Sequence, residues 1–544
     1  MGLKKEQQMP KNSKTSSHCR ASLKKVVRLS LILCSFVLVS LNGLSARAAD
    51  GTPLWTNVFK GTGNSDDYAQ ALAVDASGNA YVSGTLYRSG SGYAYATIKY
   101  SSAGVALWTN LFGTTSLTAI ALAVDGSGNA YISVYASGLG SGLDYTTIKY
   151  SNAGAAMWTN VFNGAGNGND FANALAVDTV GNVYVTGTSS DGSLYPGYTT
   201  IKYSTTGVPL WTNLFHTLDA TSHEAKALAT DKNGNVYVTG SAYGKEWALD
   251  HWNYRWEYAT VKYSTDGVAL WTNLFSLFYG TTNGGAKARA LTVDASDNVY
   301  VTGDRYGLRS DYATIKYSSA GAALWTNLFN GAYSSDDHAE ALVVDANGNV
   351  YVTGYATGIG DRRGYATIKY SSTGAGLWTN LFNGPGIEHD YASDVAVDAN
   401  GNVYVTGSVY GRADVWFYDY ATIKYSTTGV ALWTNLFNGV GNGGDSDNRS
   451  TVDGNGNVYV TGSATGSGSG YDFATIKYSG ATIDRPLLKI QRSSGGVVLS
   501  WTNAAFSLQT ESQLNGAFTN IPGATSPYTN PVTGSRQFFR LIGN

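Results

Sequence analysis

The densest group of side chains able to do chemistry is the segment SAYGKEWALDHWNYRWEY at 241–258, which holds Trp247, His251, Trp252, Tyr254, Arg255 and Trp256. A second group, Trp416, Phe417 and Tyr418, stands at the corresponding place further along the chain. Indole and phenol rings beside polar groups can stack on sugar rings or anchor a protein partner. They can equally fold back on one another and bury their own apolar surface, and at this level both readings stand. Carboxylates offer a different chemistry. Asp67, Asp170, Asp337, Asp390 and Asp445 recur at one position, where related segments carry His223, Ala286 and Leu117. Such a set could surround a cation or a basic ligand, or each carboxylate could cap its own loop through backbone N–H groups. Three departures in eight copies favour capping, because a cation needs several ligands at once. His216, His223, His251, His338 and His389 show no H-x-H or H-E-x-x-H spacing, so no catalytic metal motif is present. No catalytic residue and no cofactor is assigned.

The elements that must position these groups are repeats. Trp55, Trp108, Trp158, Trp211, Trp271, Trp325, Trp378 and Trp433 each open a Trp-Thr-Asn, at spacings of 53, 50, 53, 60, 54, 53 and 55 residues. Each unit contains four strand-like pieces, exemplified by ALVVD (341–345, strand A), NVYVTG (349–354, B), YATIKY (365–370, C) and LWTNLF (377–382, D). A period near fifty with four strands and no helical pattern predicts a β-propeller. The A-to-B link reads Asp-x-x-Gly-Asn in seven units, with Asp297 in place of Gly in the other. It predicts a tight turn in which the first Asp accepts N–H bonds and the Gly position is left-handed. An EF-hand does not fit this spacing.

Link lengths divide the repeat into two ends. From the strand A Asp to the Asn of strand B is always four residues, and from the strand C Tyr to the next Trp always eight. The D-to-A link runs 16, 13, 16, 16, 19, 16, 16 and 16, and the B-to-C link 13, 13, 13, 20, 11, 13, 15 and 13. In an up-down meander the two invariant links share one face and the two variable links the other, and binding is expected on the variable face. The recurrent lysines Lys99, Lys149, Lys202, Lys262, Lys316, Lys369, Lys424 and Lys477 fall towards the invariant face. There an ion pair with the strand A Asp is expected rather than an anion site. The chain opens on a lone strand D, LWTNVF at 54–59, and its last unit ends on strand C near Ser479. Pairing of the two would close the ring without leaving an edge.

The run D-x-x-G-N-V-Y-V-T-G followed by T-I-K-Y-S-x-x-G-x-x-L-W resembles the bacterial SBBP-type β-propeller repeat family, over about 425 residues and eight copies. The resemblance implies an exported bacterial propeller and assigns no chemistry to individual residues. The family name implies seven blades where this chain counts eight, so a seven-bladed ring is the alternative. Eight blades and G-x-x-L-W, with Met157 for Leu in one unit, are also similar to the tryptophan-docking repeats of pyrroloquinoline quinone dehydrogenases, although Lys-Tyr-Ser stands where those have Ala-x-Asp. No S-x-D-x-G-x-x-W box of sialidases occurs, although Arg305, Arg309, Arg362 and Arg363 fall on the variable face.

Residues 1–28 are rich in Lys and Arg, an apolar run follows at 29–41, and then comes Ala46-Arg47-Ala48. This is the pattern of a Sec signal peptide, so 1–49 is expected to be cleaved, leaving no membrane span. Both cysteines, Cys19 and Cys34, lie within it, which leaves stability to packing in an oxidising compartment. Nine of the 36 basic and one of the 38 acidic residues also fall there, leaving 27 against 37, a formal charge of −10. Such a surface disfavours nucleic acid. Residues 480–544 break the repeat and read as short alternating strands, a small β-sandwich-like module similar to C-terminal modules of exported bacterial proteins.

The expected architecture is thus all-β: a signal peptide (1–49), an eight-bladed propeller (50–479) closed by its N-terminal strand, and a C-terminal module (480–544). The expected protein is monomeric, secreted or on the envelope exterior, and not an enzyme. It displays a face for a polysaccharide or a surface protein. The alternative is a propeller enzyme, polysaccharide-active or quinoprotein-like.

Overall fold

The computed structural model describes residues 50–543 apart from 64, 114–118, 138–141, 191, 193–194, 218–219, 249–250, 277–284, 308, 333–334, 359–360, 412–416, 467–469, 481–487, 494–495, 502–505, 512–518 and 531–537. Residues 1–49 and Trp416 therefore lie outside the described residues.

The described residues form eight four-stranded antiparallel sheets, seven of them in simple meander order, and two three-stranded sheets near the C-terminus. Sheets 1 to 7 span 68–112, 119–162, 171–215, 220–275, 285–329, 338–382 and 391–437. Sheet 8 takes three strands from 446–478 and its fourth, outer strand from Pro53–Phe59. That strand pairs antiparallel with Tyr471–Tyr478, Trp55 opposite Lys477 and Phe59 opposite Phe473. Strand A of each sheet packs on strand A of the next, and the first strand of sheet 8 packs on that of sheet 1. The C-terminal sheets comprise Lys489–Ser493, Gly496–Ser500 and Tyr528–Asn530, and Thr519–Asn520, Phe506–Glu511 and Phe538–Gly543. Leu499, Trp501 and Leu508 are buried between them.

In sheet 6 the strands are His338–Val344, Val350–Thr357, Arg363–Tyr370 and Gly376–Phe382. Strands B and C are buried almost throughout, because neighbouring sheets cover both of their faces. Strand D alternates instead. Trp378, Asn380 and Phe382 turn inward, while Leu377 and Leu381 stay 51% and 59% exposed. Each A-to-B turn forms as its letters predict. Asp345 Oδ1 accepts the N–H groups of Asn347 and Asn349, and Oδ2 accepts Asn349 Nδ2 and the Tyr351 hydroxyl. All of these partners are local, so the turn alone accounts for the Asp. Gly348 is left-handed, φ 75°, and Asp297 takes the same conformation at φ 63° in sheet 5, as Asp tolerates.

The recurrent Trp, Asn and Lys join successive sheets. Trp378 Nε1 and Lys369 Nζ of sheet 6 donate to one acceptor, the carbonyl of Thr427 in the C-to-D turn of sheet 7, at 3.2 and 3.0 Å. Asn380 Nδ2 donates to the Gly429 carbonyl at 2.8 Å. Gly429 has φ 84°, and a Cβ there would lie 2.9 Å from the Trp378 ring, so only glycine lets the indole approach. The lysine ammonium also sits over a tyrosine ring, 4.9 Å above Tyr351 in sheet 6, a cation–π contact. The expected ion pair with the strand A Asp is secondary: it is seen at 3.7 Å for Lys99 and Asp75, at 3.9 Å for Lys262 and Asp231 and at 3.5 Å for Lys477 and Asp453. A backbone carbonyl of the following sheet lies nearer in each case, joined for Lys99 by the Asn152 side-chain oxygen.

Sheet 7 has no such turn to grip, because its neighbour is completed by the distant N-terminal strand. Here Asp50 takes the carbonyl's part. Trp433 Nε1 donates to Asp50 Oδ1 at 2.9 Å, Lys424 Nζ lies 3.1 Å from both carboxylate oxygens, and Asn435 Nδ2 donates to Gly51 O at 2.6 Å. The bonds Gly51 N to Ser479 O and Ser479 N to Thr52 O, both 2.8 Å, rebuild the C-to-D turn from two chain segments. Lys424 is fully buried, and at this joint the acceptor shared by Trp and Lys is a carboxylate where at the others it is a backbone carbonyl.

Candidate functional site

The variable links all leave from the end of the sheets where strands A and C begin. The carboxylates Asp67, Asp170, Asp337, Asp390 and Asp445 stand there, each buried. Each accepts two backbone N–H groups of its own unit: Asp67 from Gly61 and Tyr87 at 2.6 and 2.7 Å, Asp390 from Gly384 and Tyr410 at 2.8 Å each. Asp170, Asp337 and Asp445 take the equivalent N–H groups of Gly164 and Ser190, Gly331 and Thr357, and Gly439 and Thr465. Burial raises the carboxyls of Asp67, Asp337 and Asp390, and raises Asp445 to about 6, while those N–H donors pull the other way. Among the described residues no three His, Cys, Asp or Glu side chains gather closely enough to hold a metal. The geometry of these carboxylates is that of loop caps.

His223 shows the same rule with a neutral ring. It occupies the capping position of sheet 4, fully buried, and its Nε2 accepts the Thr217 N–H at 2.9 Å. Burial, reinforced by the charge of His216, lowers it from 6.5 to about 4. Protonation therefore favours the unfolded chain. The stability is fully present above pH 6.5 and is lost as the pH falls through 4, a total on the order of 3 kcal/mol. Between pH 7 and pH 4.5 the wild type is expected to lose more of its denaturation midpoint than His223→Asn does, and equal losses would refute a neutral cap.

The 241–258 segment is not a loop. Strands B and C of sheet 4 extend to Val236–Ala248 and His251–Tyr263 and form a long hairpin, in which Trp247 pairs with Trp252 and Ala248 with His251. The reason is visible in HWNYRWEY, where aromatic and polar residues alternate with the strand period. The side chains of Trp247, His251, Trp252 and Tyr254 lie outside the described ones. Arg255 Nε binds Glu257 Oε1 at 2.8 Å. Trp256 packs on Tyr243, ring centroids 5.0 Å apart, and beneath Lys287, whose Nζ is 4.2 Å from its ring. This hairpin thus uses Trp256 to pack on itself and on sheet 5.

Sheet 7 presents its aromatics differently. Phe417 is 45% exposed, and Tyr418 stands edge-on to Tyr410 at 5.6 Å and 6.2 Å from Tyr391. Tyr391 and Tyr418, with Tyr471 from sheet 8, line a cavity of about 360 Å³ whose remaining wall is Ser393, Ser408, Gly444, Asp445 and Ser446. The row continues along the same face: Tyr391 meets Tyr355 edge-on at 5.2 Å, and Tyr355 lies on His338 at 4.8 Å. His338 Nδ1 is 3.1 Å from the buried Asp304 Oδ2, which also takes Arg289 Nε at 2.7 Å.

Of the residues singled out in the sequence, the structure brings only Tyr418 and Asp445 into this cavity. Tyr391 and Tyr471 were not singled out. Their signal is faint but present, since Tyr391 holds a place that varies among Tyr68, Phe171, Glu224, Lys287, His338 and Ser446 in other units.

A second cavity, of about 320 Å³, lies among the strand A segments of all eight sheets. Each A-to-B ladder slips by one residue there, between Ala339 and Ala341 in sheet 6 for example. Its polar wall includes Asn173, Lys226, Arg289, Glu340 and Asp394. These groups satisfy one another or nearby backbone: Arg289 reaches Glu340 at 3.3 Å, Lys226 pairs with Glu224, and Asn173 Nδ2 donates to Ala225 O at 2.8 Å. No helix of the described residues is long and apolar enough to cross a membrane.

Comparison with known proteins agrees with this architecture. The SBBP β-propeller repeat model matches residues 164–195, 220–245 and 377–408, segments centred on strands A and B. The chain therefore carries SBBP repeats at these three places, and its fold is a β-propeller. No curated protein matches the sequence. Among solved structures, the WD40 domain of SCAP from fission yeast is similar with a TM-score of 0.44 and 10% identity, covering 79% of this chain and 98% of that one. A eukaryotic initiation factor gives a TM-score of 0.38 at 9% identity, over 72% of this chain and 89% of the other. Regucalcin from Agrobacterium tumefaciens, a calcium-binding protein, gives 0.28 at 12% identity, over 57% and 91%.

Proposed function

We propose that this is an exported, non-enzymatic propeller whose variable face binds carbohydrate. The observation that carries the reading is the cavity of about 360 Å³ walled by Tyr391, Tyr418 and Tyr471 with three serines. Its size falls among small-molecule sites, ~300–1,000 Å³. Tyrosines half-buried around a hydroxyl-lined hollow offer apolar faces for the C–H side of a sugar ring, with hydrogen-bonding tips for its edge. In the same proposal the leader 1–49 is removed and the eight sheets are the blades of a ring closed by Pro53–Phe59. Residues 480–544 are a separate small module, and the protein is a monomer in the extracellular or envelope space. Blade-to-blade packing supports the ring, and the latch at Asp50 supplies its last joint.

A glycan array probed with the protein is expected to show binding that Tyr418→Ala and Tyr391→Ala each reduce at least tenfold, with unchanged denaturation midpoints. Absence of binding to any glycan, or binding unaffected by both substitutions, would overturn the proposal.

A further inference from the structure

We infer that the saccharide seated on this tyrosine row is acidic, and that Arg363 receives its carboxylate. The inference rests on the carbohydrate reading above and names the ligand class.

Arg363 opens strand C of sheet 6 and reaches over the tyrosine row. Its guanidinium carbon is 4.8 Å from the Tyr355 ring centre and 5.8 Å from that of Tyr391, and Nη1 donates to the Tyr391 hydroxyl at 3.3 Å. The two rings hold the group in place by cation–π contact. The arginines around it are occupied. Arg362 binds Asp390 and the carbonyls of Glu388 and Gly384, Arg305 binds Asp311, and Arg289 binds Asp304 and Glu340. Arg363, like Arg309 on Ser335, makes no ion pair within 4 Å among the described residues; the Tyr391 hydroxyl engages one of its N–H groups, and the Asp336 carboxylate acts on its charge from further away.

An arginine of this kind presents most of its five donors to a ligand in a planar fork that matches a carboxylate. It is oriented by aromatic rings and half-buried. Its position adds the second half of the argument, because Tyr391 is shared. One end of that side chain carries the Arg363 contact, and its ring forms the wall of the cavity that continues to Tyr418 and Tyr471. Arg363 itself stands outside the cavity lining, and a ring stacked on Tyr391 meets it at the hydroxyl end of that side chain. Neutral sugars use the tyrosines and serines alone, and a uronic acid uses Arg363 as well.

The test compares a uronic-acid tetrasaccharide, its methyl ester, a neutral hexose tetrasaccharide and a sulfated one, each titrated calorimetrically into the full protein. The wild type is expected to bind the acid at least tenfold more tightly than the ester or the neutral sugar. Arg363→Gln should abolish that preference while leaving affinity for the neutral sugar within twofold. Arg363→Lys, which keeps the charge without the fork, should retain part of it. Equal affinity for acid and ester, a preference that survives in Arg363→Gln, or tighter binding of the sulfated sugar than of the uronate would each overturn the inference while leaving the carbohydrate reading intact. Failure of all four saccharides to bind would overturn both.

Discussion

Asp50→Ala is expected to cost about 3–5 kcal/mol of stability, the range for removing one partner of a buried ion pair, and to free the Pro53–Phe59 strand first. Lys424 is fully buried and its ammonium lies 3.1 Å from both Asp50 oxygens, so the substitution strands a cation without solvent. The Gly480 carbonyl, 3.4 Å away, and the Tyr404 ring, 5.2 Å from the ammonium, are the partners left to it. Trp433 Nε1 also loses its acceptor. No other joint can fail this way, because elsewhere the shared acceptor is a backbone carbonyl that no side-chain substitution deletes. Chemical denaturation should show the loss, and limited proteolysis should cut the Asp50→Ala variant near residue 60 before any other site. Lys424→Met added to Asp50→Ala should recover most of the stability, since neither charge is then buried alone. A midpoint unchanged by Asp50→Ala would mean that the carboxylate latch contributes nothing.

Trp378→Ala is the second large effect expected, about 3 kcal/mol, in the range for emptying a packed indole site. The ring lies 6.0 Å from Tyr351 in its own sheet and 6.1 Å from Tyr425 in the next. Gly429 of sheet 7 backs directly onto it. Its removal opens the seam between sheets 6 and 7 along with the Nε1 bond to Thr427. Trp378→Phe separates the two contributions. It keeps most of the apolar contact and deletes the donor, while Lys369 still satisfies the Thr427 carbonyl, so a loss of about 1 kcal/mol is expected. Equal losses in the two variants would show that the hydrogen bond, rather than packing, joins the sheets.

These two joints explain how much of the molecule could be read from its letters. The strands, the turns and their grouping at two ends follow from link lengths and from the period-2 alternation, which are local properties. Asp297 could be placed in a left-handed turn because its conformation depends only on its neighbours. The partner of Lys369 could not be read, since Thr427 belongs to the next sheet and contributes its backbone, which leaves no mark on side-chain identity. The 241–258 segment read as a loop because its length stood out, yet its alternating residues continue the strands. The cavity was only partly legible. Tyr418 and Arg363 fall in variable links where attention goes naturally, whereas Tyr391 and Tyr471 do not stand out from the regular strand text, and only folding brings residues from 391 and 471 to one hollow.

Repeated residues therefore build the seams, and the residues that differ between copies shape the face proposed to bind a ligand. Hydrogen–deuterium exchange of the full protein, with and without a saturating uronic-acid tetrasaccharide, tests that division most directly. Slowed exchange is expected in peptides covering 389–393, 417–420 and 444–446, with no change in the C-to-D turns such as 371–375. Protection confined to those turns, or no protection anywhere, would contradict it.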